Sequence, residues 1–82
     1  MIIEDIIYLK IEFKNDYDGL LTCILDKEKV FDIKNISLIL SDDNFIKIEV
    51  KLIIDGITYW NNKFYSWSEV RSISYITSKK EI

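Results

Sequence analysis

From Phe45 to Ile54 every second residue is aliphatic, namely Ile46, Ile48, Val50, Leu52 and Ile54, while Lys47, Glu49 and Lys51 lie on the other face. Successive side chains of a strand leave opposite faces, so this period of two fits an extended segment with one face in a core and the other in water. A helix of the same sequence would scatter lysines and isoleucines around its whole circumference. The segment also dictates its neighbours. Upstream, Ile36, Leu38 and Leu40 alternate in the same way, and the loop Asp42-Asp43-Asn44 sets Leu40 opposite Ile46, Leu38 opposite Ile48 and Ile36 opposite Val50. Downstream, Asp55-Gly56 between Ile54 and Ile57 is the signature of a two-residue type I′ turn. That turn puts Ile57 and Tyr59 on the core face and Thr58 and Trp60 on the other.

The remaining segments follow the same logic. Ile7, Leu9, Ile11 and Phe13 point one way and Lys10, Glu12 and Lys14 the other, and Asn15-Asp16-Tyr17-Asp18-Gly19 ends that strand as a turn. Leu20 to Leu25 is apolar on both faces and reads as a central strand; a helix would also gather Leu20, Leu21, Ile24 and Leu25, but Thr22, Cys23 and Ile24 are weak helix formers. Phe31 and Ile33 put odd positions inward whereas Ile36 onward puts even positions inward, so a bend or bulge is required near Lys34-Asn35. After Trp60 a second turn is expected at Asn61-Asn62-Lys63, which sets Tyr59 opposite Tyr65 and Ile57 opposite Trp67 and buries those rings. Ser66-Trp67-Ser68-Glu69 matches the Ser-x-x-Glu capping box and calls for one helical turn near residues 67–71. Ile73 and Tyr75 resume strand alternation, and the tail 78–82 is expected to fray.

Composition agrees with this reading. Seventeen of the 82 residues are isoleucine and none is alanine, glutamine or proline, a balance that favours pleated strands. A chain of this size is one domain spanning residues 1–82. The expected fold class is all-β, a small antiparallel meander or an SH3-like barrel of five to seven strands.

The chemistry available is narrow. Without histidine the chain lacks the commonest general base, metal ligand and partner for a nucleophile, so no enzyme activity is expected. The single Cys23, inside the apolar run Leu21-Thr22-Cys23-Ile24-Leu25, suits a buried thiol in a reducing compartment. No metal site or cofactor is expected. Reading Gly19 as the sixth position of a calcium loop places Lys14 first and Leu25 twelfth, where charged ligands are needed, and Asp42-Asp43 alone is too few carboxylates for magnesium. The acidic start Met1-Ile2-Ile3-Glu4-Asp5 and the shortness of every apolar run point to a cytoplasmic protein with no membrane partner.

Function is therefore sought on the surface. In the expected register Trp60 and Phe64 lie opposite each other on the outer face, beside Lys51 and capped by Asn61, Asn62 and Lys63, forming an aromatic pair at a hairpin tip suited to a partner. Asp16, Asp18, Asp42, Asp43 and Asp55 all fall in turns and form an acidic rim at the strand ends. The leading expectation is a small acidic non-enzymatic protein that binds another protein, with a homodimer among the options. A composition rich in Ile, Lys, Asn and Asp without Ala or Pro suggests an AT-rich genome, and hence a phage or mobile-element inhibitor of a host nucleic-acid-handling enzyme such as a CRISPR nuclease. The alternatives are a small barrel binding single-stranded nucleic acid and a structural subunit acting as a homo-oligomer. A net charge of −3 weighs against nucleic acid, although the last 26 residues hold four basic against two acidic side chains.

Overall fold

In the computed structural model, which describes residues 1–17, 19–41 and 44–78, the chain runs β1 (Ile2–Ile3), β2 (Ile6–Tyr17), β3 (Leu20–Asp26), β4 (Ile33–Leu40), β5 (Phe45–Ile54), β6 (Ile57–Ser66), a 3-10 turn (Trp67–Glu69) and β7 (Val70–Thr77). The strands form two antiparallel sheets, ordered β1-β4-β5-β6 and β3-β2-β7. The fold is all-β, as the alternation demands, but an SH3-like barrel does not close, because among the described residues no ladder joins the edges of one sheet to those of the other. The chain changes sheet at Glu4-Asp5, where Asp5 has φ 57°, again between β3 and β4 over residues 27–32, and a third time at the 3-10 turn.

The two sheets face each other across an aliphatic core. Ile6, Leu9 and Ile11 of β2 meet Ile36 and Leu38 of β4 and Ile46 and Ile48 of β5, all seven wholly removed from water. Among the described residues no polar or charged side chain is buried. The expected pairs Leu40 with Ile46, Leu38 with Ile48 and Ile36 with Val50 are all present. The parity change is also present: Ile33 pairs with Leu52 and Asn35 with Lys51, so Lys34 is an extra residue that lets Ile33 and Ile36 both point inward. At the next turn Asp55 has φ 52° and Gly56 φ 78°, the two left-handed residues of a type I′ turn.

Four details differ from the sequence reading. Ile6, not Ile7, enters the core, because β2 bulges between Ile6 and Tyr8 against β7. β2 runs on to Tyr17, which pairs with Leu20, so Asn15 does not begin a turn. β3 is an edge strand rather than a central one; its Cys23 is buried, while Leu21 and Ile24 remain in water. Phe31 is 88% exposed. Local bonds drive it out: the Asp26 carboxylate accepts the Glu28 N–H at 3.0 Å, and the Asp26 carbonyl accepts the N–H groups of Lys29 at 3.2 Å and Val30 at 3.0 Å. The resulting tight turn carries the ring outward beneath Lys34, whose Nζ lies 5.2 Å from the ring centroid.

Replacing Ile48 by Ala leaves a cavity at the centre of this core and is expected to cost about 2–5 kcal/mol, a large part of the ~5–15 kcal/mol that holds a typical domain. Phe31→Ala should be nearly neutral. Urea denaturation of both variants measures the contrast.

Candidate functional site

Among the described residues β6 borders the sheet and pairs with β5 alone, in an uninterrupted register from Ile54↔Ile57 to Phe45↔Ser66. There is thus no turn at Asn61-Asn62-Lys63. Asparagine pairs favour turns by propensity, but the hairpin is already closed at Asp55-Gly56, and β5 offers Val50, Glu49 and Ile48 as ladder partners for these three residues. Trp60 and Phe64 therefore do not face each other across a hairpin. They sit on one strand with Asn62 between them, all three on the outer face, their backbone positions roughly 13 Å apart along the strand.

Three cross-strand rows build this face. Lys51 lies opposite Trp60, Glu49 opposite Asn62 and Lys47 opposite Phe64, and β4 extends the rows with Asn35, Ser37 and Ile39. Trp60 is 54% and Phe64 59% exposed. Each ring carries a cation: Lys51 Nζ lies 5.8 Å from the Trp60 ring centroid and Lys47 Nζ 5.9 Å from that of Phe64. Such contacts at exposed sites contribute about 0.5–1 kcal/mol. Lys47 also approaches Glu49 at 3.7 Å, so the positive charge of the stripe is partly offset at its middle.

The site residues expected from sequence divide between two faces. Lys51, Trp60, Asn62 and Phe64 come together on the outer face. Asn61 and Lys63 point the other way, opposite Val50 and Ile48, and line a cleft of about 220 Å³ with Leu25, Val30, Ile33 and Leu52. On that inner face cover falls along the strand, from Tyr65 at 6% exposed to Asn61, Tyr59 and Ile57 in water. Tyr65 is buried as expected, yet through the continuing strand and its contact with Phe13, with ring centroids 5.1 Å apart, rather than by facing Tyr59. Trp67 does not face Ile57; it stands in the 3-10 turn, where its N–H donates to the Asn44 carbonyl at 3.0 Å. The capping box does not form either. Ser66 makes no side-chain cap bond and its Oγ lies 2.9 Å from Ser68 Oγ, while the turn stops at Glu69 because Val70 has already joined β7.

Of the acidic rim, Asp55 stands exposed at the hairpin tip, whereas Asp18, Asp42, Asp43 and the side chain of Asp16 lie outside the described residues. Sequence reasoning passed over Lys47 and Glu49 as members of the aromatic face, although the Lys-Glu-Lys alternation carried the signal. It also passed over an apolar cleft of about 340 Å³ at the opposite seam, between Met1, Ile3 and Leu40 on one side and Trp67, Ile73 and Tyr75 on the other.

Among the described residues no three His, Cys, Asp or Glu side chains gather as a metal ion would require, and no helix is long and apolar enough to cross a membrane. No family model, curated protein or solved structure matches the chain.

Proposed function

We propose that this is a non-enzymatic protein that binds another protein through the outer face of the β5–β6 hairpin. The supporting observation is the placement of Trp60 and Phe64, both more than half exposed on one face of an edge strand and each held under a lysine. Large aromatics that stay in water on so small a domain gain most when a partner covers them, because buried tryptophan and other aromatic anchors carry much of the energy of a contact. Glu49 and Asn62 between the rings supply hydrogen-bonding groups at the centre of the same face. The buried thiol of Cys23 suits a reducing, cytoplasmic setting.

Rings beside lysines also suit stacked bases, which keeps single-stranded nucleic acid as the second reading. A protein partner is favoured because Glu49 sits between the two lysines and the whole chain carries −3. The narrower reading, a phage or mobile-element inhibitor of a host enzyme such as a CRISPR nuclease, draws its support from composition. Adding the protein to a nuclease cleavage assay tests it.

Trp60→Ala combined with Phe64→Ala should weaken partner capture from a low-GC bacterial lysate at least ~10-fold, the loss expected when hot-spot rings are removed, while the melting temperature stays nearly unchanged. A collapse in stability would show the rings to be structural instead. Oligonucleotide binding measured against salt should show no affinity even at low ionic strength; tight binding that fades steeply with salt would favour the second reading.

A further inference from the structure

The open edge of β6 is self-complementary. Thr58-Tyr59-Trp60-Asn61-Asn62-Lys63-Phe64-Tyr65-Ser66 reads in the same chemical order from either end: hydroxyl, tyrosine, large aromatic, polar, Asn62, polar, large aromatic, tyrosine, hydroxyl. We propose that β6 pairs antiparallel with β6 of a second copy, with Asn62 on the two-fold axis, so that the two four-stranded sheets become one of eight strands.

The backbone has the groups for this pairing. A two-residue turn is bracketed by a hydrogen-bonded pair, so Ile57, Tyr59, Asn61, Lys63 and Tyr65 turn their N–H and C=O toward β5. The Trp67 N–H bond to the Asn44 carbonyl, 3.0 Å, continues that ladder in phase. The N–H and C=O of Thr58, Trp60, Asn62, Phe64 and Ser66 therefore face the open edge. With Asn62 on the axis, Thr58 meets Ser66 of the second copy, Trp60 meets its Phe64 and Asn62 meets its Asn62, and each pair exchanges both N–H···O bonds.

Side chains and charge select the same register. Lys63 is the sole charged residue of β6, and in this register it lies opposite Asn61 of the second copy. Moving the axis to Lys63 sets two like charges face to face, which is unfavourable. Moving it to Asn61 puts Trp60 opposite Asn62 and Phe64 opposite Thr58, losing the aromatic pairs. With the axis at Asn62, each outer row reads Lys51, Trp60, the second copy's Phe64 and its Lys47, so both rings gain an aromatic neighbour and keep their cations.

Edge strands are normally protected by bulges, proline or charge. The pairings of β3 and β7 with β2 are interrupted by register shifts, and β1 has only two residues. β6 has ten residues, an unshifted register with β5 and no proline. Because the far edge of its sheet ends in the short β1, pairing at β6 closes as a dimer rather than growing into a filament.

The inference concerns the backbone edge and extends beyond the reading of the outer face. Sedimentation should give twice the 9.8 kDa chain mass. Asn62→Pro removes an edge-facing N–H without touching the β5 ladder, and Asn62→Lys places two ammonium groups on the axis; both should be folded monomers, the second serving if the first does not fold. Single cysteines at positions 61, 62 and 63 in a Cys23→Ser background should cross-link between copies fastest at 62. A wild-type monomer at about 1 mM, at the weak end of specific association, would overturn the inference. So would a dimer that persists in a folded variant at 62, or cross-linking that peaks at 61 or 63. Dimerisation is read from mass and cross-linking alone, so its outcome is independent of partner capture at the outer face.

Discussion

The structure depends on the dry contact between β2 and the β4–β5 pair. Ile6, Leu9 and Ile11 on one side and Ile36, Leu38, Ile46 and Ile48 on the other exclude water completely, and among the described residues neither sheet has another apolar layer to lean on. Two irregularities in the ladders serve that contact. Lys34 is looped out so that Ile33 and Ile36 both face inward, and the bulge at Ile7 brings Ile6 in. Phe13 against Tyr65, tilted by 52°, extends the contact to β6.

The parts of the fold governed by near neighbours were legible in the sequence. The three aliphatic pairs between β4 and β5, the bulge near Lys34 and the turn at Asp55-Gly56 follow from period, parity and turn chemistry within some twenty residues, and all are present. Elements set by distant partners were not. Whether Ile6 or Ile7 enters the core is settled by β7, at the far end of the chain. Phe31 left the core because Asp26 organises a competing local turn that no alternation pattern encodes. At Asn61-Asn62-Lys63 turn propensity lost to a strand partner of matching length, since each residue of β6 finds a ladder position on β5.

The candidate site was half legible for the same reason. Trp60 on the outer face beside Lys51 follows from the type I′ turn and survives. Phe64 keeps that face only because an unbroken strand and a three-residue loop happen to give it the same parity, so its exposure was expected on a mistaken path. Asn61 and Lys63, assigned to a loop, belong to the inner face and the cleft beside β3. A strand that is both the border of its sheet and the bearer of its exposed rings offers side chains and main chain in one place, which few surfaces of a domain this small can do.

The pairing of β2 with β7 joins Ile6 to Thr77 and Leu9 to Tyr75. On the ribosome this imposes an order. β4, β5 and β6 are contiguous and zip locally, whereas the second sheet waits for residues 70–77 to emerge. Until then the β2–β3 hairpin lacks a flank, and the isoleucine face of the first sheet has an incomplete cover. High contact order of this kind slows folding and lengthens the time during which apolar strands stand open. β7 thus completes the flank of β2 late, and damage to it is felt in the nascent chain as much as in the finished fold.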